Sequence, residues 1–293
     1  MPEGHTIHRL ARQFNDVFSG QPVLASSPQG RFSSGAEKID GRLLVSAHAH
    51  GKQLFISFDH ELTLRVHLGL YGAWDFGGDE SFRGASSIGA PRRIGERELA
   101  ASDEGYCGPP APVGAVRLRL QTEHGWADLR GPSACELLTE QELVAQIAKL
   151  GPDPLRDAAD AGQQFGRNVL AKKSASAIAG LLMDQSVVAG IGNIYRAELL
   201  FRNGIDPWQP GSSLQPGQVA ALWADAVLLL ARGVQAGKII TTERAEQRSS
   251  GALNYVYQRQ GERCLHCPQT VLMTELAGRK LYYCPGCQQP GNS

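Results

Sequence analysis

From Ile7 the apolar residues Ile7, Leu10, Ala11, Phe14 and Phe18 recur at helical spacing, one stripe that predicts an amphipathic leading helix ending near Gly20. Beyond it the period shortens to two. Leu54, Ile56 and Phe58 alternate, as do Leu62, Leu64, Val66 and Leu68, then Val116, Leu118 and Leu120, which predicts antiparallel strands of one β domain. Between them the stretch 77–114, rich in Gly, Ser and Pro, is expected to be a long mobile loop. The helical period returns within GPSACELLTEQELVAQIAKLGPDPL, where Leu143, Ile147 and Leu150 share one side, so a domain boundary is expected close to Gly131 and Pro132. Further helices are expected over 177–188, 194–201 and 218–234. The pattern as a whole is α+β: a β domain with a leading helix, a helical domain, and a small segment holding cysteines.

Composition narrows the class without deciding it. At 293 residues, 42% hydrophobic and 20% charged, the chain reads as an ordinary globular protein with room for two cores. No stretch approaches the unbroken apolar run of about 20 residues that a membrane span needs. His5, His8, Arg9 and Arg12 interrupt any signal-peptide core at the start, so a cytosolic protein is expected. Lys plus Arg equals Asp plus Glu at 29 each, and net charge therefore gives no support to a nucleic-acid partner. Distribution helps slightly, since seven bases face four acids from Lys238 to the end.

The cysteines are more informative. Cys264-x2-Cys267, 16 residues, then Cys284-x2-Cys287 is the spacing of a structural zinc ribbon, in which two knuckles supply four thiolates to one tetrahedral ion. Without a secretion signal, zinc is preferred to disulfides. His266, inside the first knuckle, is a bystander beside four thiolates, and Cys107 and Cys135 are expected to be free thiols. Between the knuckles VLMTELAGRKLYY predicts a hairpin with Arg279 at its tip, either a solvated turn arginine or the group that the ribbon holds rigid.

Two further stretches admit a plain and a chemical reading. DQSVVAGIGNIYRAELLF places a helix on each side of a Gly-Ile-Gly-Asn turn. That turn is either a helix corner or a site where the second helix start offers free N–H groups to an anion, with Asn193 capping the helix or reaching a phosphate oxygen. Pro2 and Glu3, directly after Met1, are ordinary helix-start residues on composition alone.

MPEG at the start, Gly51-Lys52 in a hairpin, HLGLYG at 67–72, DQSVVAGIGNIYRAE and the ribbon with GRKLYYCPGCQ occur here in one order. Together they resemble the formamidopyrimidine-DNA glycosylase and endonuclease VIII family of base-excision repair. The stretches 77–114 and 241–253 carry no match. The resemblance implies an N-terminal β-sandwich domain with its leading helix (1–131), a helix-two-turn-helix domain (132–250) and a zinc-ribbon finger with one structural Zn2+ (251–293). It implies that Met1 is removed and that the Pro2 amine attacks sugar C1′ of a damaged nucleotide, with Glu3 as the acid that protonates the ring oxygen. A free α-amino group titrates at about 7.7 to 8.0, so a neutral, nucleophilic fraction exists near pH 7. Lys52 resembles the family's hairpin lysine, which contacts phosphate and assists catalysis. Asn193 and Arg279 resemble its phosphate-binding pair. Leu70 and Tyr71 match the side chains that fill the gap left by an everted base, although a strand-end Leu-Tyr pair also suits a core.

The expected activity is that of a bifunctional DNA glycosylase and abasic-site lyase acting on damaged double-stranded DNA by β,δ-elimination, as a cytoplasmic monomer of a bacterium, nucleoid-associated when bound and without membrane contact. Tyr71 and the opening MPEGHTIHRLAR resemble the endonuclease VIII branch, which implies oxidised pyrimidines. The leading His-Leu-Gly of HLGLYG resembles the purine-repair branch, and the same chemistry on oxidised purines is the alternative. A non-catalytic damage binder on this scaffold is a third. Thr6 departs from the acidic residue that many relatives carry there.

Overall fold

The computed structural model describes residues 2–90, 108–171 and 176–289, and divides into two compact units. Met1, Cys107 and much of the expected loop 77–114 lie outside the described residues. One unit comprises Pro2 and residues 6–147, and the other comprises Glu3–His5 and residues 148–289.

In the first unit the leading stripe is buried as expected. Helix α1 (Gly4–Phe18) places Ile7, Leu10, Ala11, Phe14 and Phe18 in the main apolar core. Nine antiparallel strands form one continuous sheet: β1 (Gln21–Ser26), β2 (Arg42–His50), β3 (Gln53–Phe58), β4 (Leu62–His67), β5 (Ala73–Gly78), β6 (Ser87–Gly89), β7 (Val116–Gln121), β8 (Gly125–Arg130) and β9 (Ala134–Leu138). Helix α2 (Ser33–Ile39) joins β1 to β2. Strand β1 changes partner along its length. Gln21–Val23 pairs with β2 and Leu24–Ser26 with β7, so β2, β3, β4 and β9 continue one half of the sheet while β7, β8, β5 and β6 continue the other. Both halves bury side chains in one core with α1, Ile56 and Leu64 from one and Trp74, Leu118 and Leu129 from the other.

Two features of this unit differ from the sequence reading. The compact unit runs past Gly131 and Pro132, since Ala134–Leu138 pairs along β4 as an edge strand and α3 (Glu140–Ile147) stays with the sheet. Strand β9 buries no residue fully and shows no clean alternation, which hides it from a periodicity test. The stretch 77–114 is likewise not all loop, since β6 pairs with β5 through Ser87–Gly89. Cys135 on β9 is a free thiol, and burial pushes it up to about 12, which makes it unreactive.

The second unit contains α4 (Ala161–Ala171), α5 (Ile178–Leu181), α6 (Asn193–Arg202), α7 (Pro216–Ala236), α8 (Arg244–Ser250) and a hairpin of β10 (Leu272–Leu276) and β11 (Arg279–Tyr283). The helix expected over 177–188 stops after Leu181. Asp184 accepts from the Ser186 N–H (2.9 Å) and turns the chain, as Asp side chains do at breaks. Eight of the ten residues of α6 are buried, because both cores of the unit lean on it. Tyr195, Leu199 and Leu200 join α7 in one core, which also takes Leu281 of the hairpin. Ala197 and Phe201 join Cys264, Cys284, Val271 and Tyr282 in the other. The cysteine segment is therefore packed into the helical unit and is not a separate body.

Helix α7 is long and apolar enough on average to cross a membrane by length and composition alone, although Asp225 and Arg232 keep it from being an unbroken apolar run. Its apolar character has a packing cause. Leu222, Ala226, Leu229 and Leu230 fill the core, while Asp225 pairs with Arg202 at 2.8 Å. A Gln215–Gln218 capping box and Pro216 start the helix, and Gly237 in the left-handed region (φ 71°) ends it.

Candidate active site

Glu3 is fully buried, and its carboxylate meets the first turn of α6. The Gly192 and Ile194 amides each donate to it at 2.8 Å, and the Tyr195 amide approaches at 3.4 Å. The helix start does bind an anion, but the anion is the protein's own. Three amide donors and the positive helix end favour the charged carboxylate. Glycines make the approach possible: a Cβ on Gly192 would lie 2.5 Å from Glu3 Cδ, and one on Gly4 would lie 2.9 Å from Gly190 Cα. Gly4 N also donates to Gly190 O at 2.8 Å, so residues 3–5 are laid along the Gly-Ile-Gly turn. Pro2, the residue before Glu3, is buried, as is Thr6.

Asn193 does not cap α6. Gly192 occupies the cap position, and the Asn193 side chain donates through Nδ2 to the carbonyl of Lys280 on β11 at 2.9 Å. Arg196, one turn further along, donates through Nη2 to Asn193 Oδ1 and to the same carbonyl (3.1 Å). Burial and then nearby Arg279 pull Arg196 down to about 10, against the opposing pull of Glu3, so it stays ionised at neutral pH. Arg279 is exposed and follows Ala277 (φ 50°) and Gly278 (φ 71°), the left-handed pair that a two-residue hairpin turn needs. Lys280 thus links the two residues expected to act as a pair, Asn193 through its carbonyl and Arg279 through the chain.

The four cysteines of the ribbon converge, with their sulfur atoms within 4.8 Å of one another. Cys264 and Cys287 sulfurs are 3.8 Å apart, and those of Cys267 and Cys284 are 3.4 Å apart. A tetrahedron with metal–sulfur bonds of about 2.3 Å has edges of about 3.8 Å, so the donor set fits a four-thiolate ion. His266 turns away from the cluster and hydrogen-bonds Glu246 at 2.7 Å.

In the first unit, Gly51 and half-buried Lys52 form the two-residue turn between β2 and β3. Gln53 pairs with His67, which puts this turn and the 68–72 turn at the same end of the β3–β4 pair. Leu70 and Tyr71 are 44% and 69% exposed, which removes the core reading for both. Ser133 Oγ lies 2.5 Å from His67 Nδ1 and 3.0 Å from the His67 carbonyl, so it holds both the ring and the backbone of His67. Burial, then the Lys52 and Arg65 cations, lower the His67 pKa and keep the ring neutral at pH 7.

Comparison with known proteins identifies the family. The formamidopyrimidine-DNA glycosylase N-terminal domain model covers residues 1–131, and the formamidopyrimidine-DNA glycosylase H2TH domain model covers 150–245. The chain is 40% identical to Endonuclease 8 1 of Mycobacterium tuberculosis over 98% of this chain and all of that protein. It belongs to the formamidopyrimidine-DNA glycosylase and endonuclease VIII family. Endonuclease 8 of Klebsiella pneumoniae is 29% identical with the same coverage. A complex of Lactococcus lactis Fpg with DNA containing an abasic site shares the fold at a TM-score of 0.74 and 20% identity, over 98% of this chain and all of that one. As a member of this family, with its likeness on the Endonuclease 8 side, the chain is a DNA-repair enzyme of the glycosylase and abasic-site lyase class.

Pro2, Glu3, Lys52, Leu70 and Tyr71 fall in the family's N-terminal domain and Asn193 in its H2TH domain, whereas Arg279 and the cysteines lie beyond both matched ranges. Sequence reasoning missed two buried charged residues of α6. Arg196 was one. Glu198 was the other, accepting from the amides of Tyr255 (2.7 Å), Val256 (2.8 Å) and Tyr257 (2.7 Å) and from the Thr241 hydroxyl. A charged residue at a core position of an otherwise apolar helix was the available signal for both.

Proposed function

We propose that this enzyme excises oxidised pyrimidines from duplex DNA and cleaves the resulting abasic site through a Schiff base on Pro2. Once Met1 is removed, the neutral Pro2 nitrogen attacks C1′. The N–C1′ bond forms, the glycosidic bond breaks, and the base leaves with a proton. The ring then opens to an iminium, Glu3 delivers a proton to the ring oxygen, and β,δ-elimination releases both phosphates. Lys52, Asn193 and Arg279 hold backbone phosphates without reading sequence, and exposed Leu70 and Tyr71 fill the space of the everted nucleotide. Cys264, Cys267, Cys284 and Cys287 hold one structural zinc ion, which keeps the hairpin folded and supplies nothing to the reacting atoms. The enzyme works as a cytoplasmic monomer.

The observation that carries this reading is the clamp on Glu3, which fixes the residue next to the nucleophile with three amide contacts. The same clamp constrains the mechanism. Protonation by Glu3 requires the amide cradle to loosen when DNA is bound, because as it stands it favours the anion.

Borohydride added to Met1-free, metal-loaded protein on abasic duplex should leave a covalent adduct, and peptide mapping should place deoxyribose on Pro2. Pro2→Gly should bind the abasic duplex and lose cleavage by about 100-fold or more. Adduct on any other residue refutes the proposed nucleophile, and a non-catalytic binder would give none. A second reading, oxidised purines, draws support from the His67-Leu68-Gly69 stretch. A panel of single-lesion duplexes separates the two, with thymine glycol and 5-hydroxyuracil expected to outpace 8-oxoguanine.

A further inference from the structure

We infer that Arg196 is a positioning residue that orients the Asn193 carboxamide toward DNA and ties it to the zinc-ribbon hairpin. This rests on the reading of Asn193 as a phosphate contact. Free to rotate, an asparagine side chain can present either its oxygen or its nitrogen, and an oxygen would repel a phosphate. Here Oδ1 accepts from Arg196 Nη2, which fixes the amide so that Nδ2 faces outward from the guanidinium. One Nδ2 hydrogen is spent on the Lys280 carbonyl, and the second, which has no acceptor among the described residues, is the one we assign to a phosphate oxygen. Arg196 donates to that carbonyl as well, so the residue following Arg279 is held by both side chains of α6.

A stabilising role alone does not account for this residue. Arg196 is 1% exposed, and its buried Nε has no hydrogen-bond partner among the described residues. Native interiors leave few such donors, and an apolar residue at this core position would have carried no such cost. What the guanidinium supplies instead is a fixed relation between one helix residue and one hairpin carbonyl.

The test is a double-mutant cycle on the zinc-loaded enzyme, measuring affinity for a duplex with a tetrahydrofuran abasic analogue. Asn193→Ala and Arg196→Met should each weaken binding by about tenfold, and the double variant should be no more than about twofold weaker than Asn193→Ala alone. Independent multiplication of the two losses, or wild-type affinity for Arg196→Met, overturns the inference. Wild-type affinity for Asn193→Ala refutes the phosphate-contact reading, and the inference with it. Zinc content and cooperative unfolding are measured on each variant. Should Arg196→Met fail to fold, side-chain amide NMR of the unaltered enzyme decides the matter. One Asn193 Nδ2 proton should move on adding the duplex while the other, held by Lys280, stays in place. Movement of both or of neither overturns the inference.

Discussion

Replacing Gly192 with alanine is expected to remove adduct formation on abasic DNA and to lower the stability of the second unit by about 2 to 4 kcal/mol. Backbone strain is not the reason, because φ −122° and ψ −159° are open to alanine. The reason is Glu3, whose Cδ, Oε1 and Cγ would lie 2.5, 2.7 and 2.8 Å from the new Cβ. With Glu3 fully buried, its carboxylate has no free space to retreat into and must leave the α6 amides, which strands several donors and a charge. Glu3→Gln should reproduce the phenotype without the clash. Oε2 accepts from Gly192 and Oε1 from Ile194, and a carboxamide offers an oxygen on one side only. Gly180→Ala is the control, since nothing lies within 4 Å of a Cβ there, and it should unfold and trap like wild type. Thermal unfolding and borohydride trapping read out all three. Normal trapping by Gly192→Ala would mean that the Glu3 clamp has no part in holding the nucleophile.

The pairing of Glu3 with α6 shows what a single sequence can and cannot supply. The stripe of α1 and the four-cysteine spacing are local patterns, and both were readable because one element generates them. Glu3 also read as a helix-start acid, which is its chemistry, but the cap of the helix it serves, Gly192, lies 189 residues further on. Nothing in local periodicity names that partner. The edge strand β9 escaped for a different reason, since half-exposed residues carry little period-two signal. In the helical unit, the run Ala177–Val188 has the right apolar spacing for a helix, yet the chain turns where Asp184 accepts from the Ser186 amide and hydroxyl. For the candidate site, the family resemblance, and not the residues taken singly, pointed to Pro2, Glu3, Lys52, Asn193 and Arg279. The contacts that hold Asn193 depend on a backbone carbonyl, and carbonyls leave no trace in a sequence. Arg196 was hidden for that reason.

Removing the metal, by chelation or by Cys284→Ser, is expected to weaken binding of abasic duplex on the order of 100-fold, equal to about 2.8 kcal/mol. The loss follows from where the cluster sits. Cys284 is fully buried and Cys264 nearly so, in the core that includes Ala197 and Phe201 of α6. Four converging thiolates without an ion repel one another, and four thiols lack the bonds that hold two knuckles together. The hairpin then loses its anchor. Leu281 leaves the helical core, the Lys280 carbonyl no longer receives Asn193 and Arg196, and the exposed Arg279 has no fixed base. Metal loss should therefore reach α6 as well as the ribbon, leaving Arg196 a buried cation with fewer partners. Hydrogen exchange should show lost protection over 271–284 together with the first turn of α6, and zinc added back at one equivalent should restore protection and binding in the chelated protein but not in Cys284→Ser. A metal-free enzyme that keeps the first turn of α6 protected and binds abasic duplex with full affinity would separate the ribbon from the phosphate grip. In that case the four cysteines would stabilise the chain without positioning Arg279.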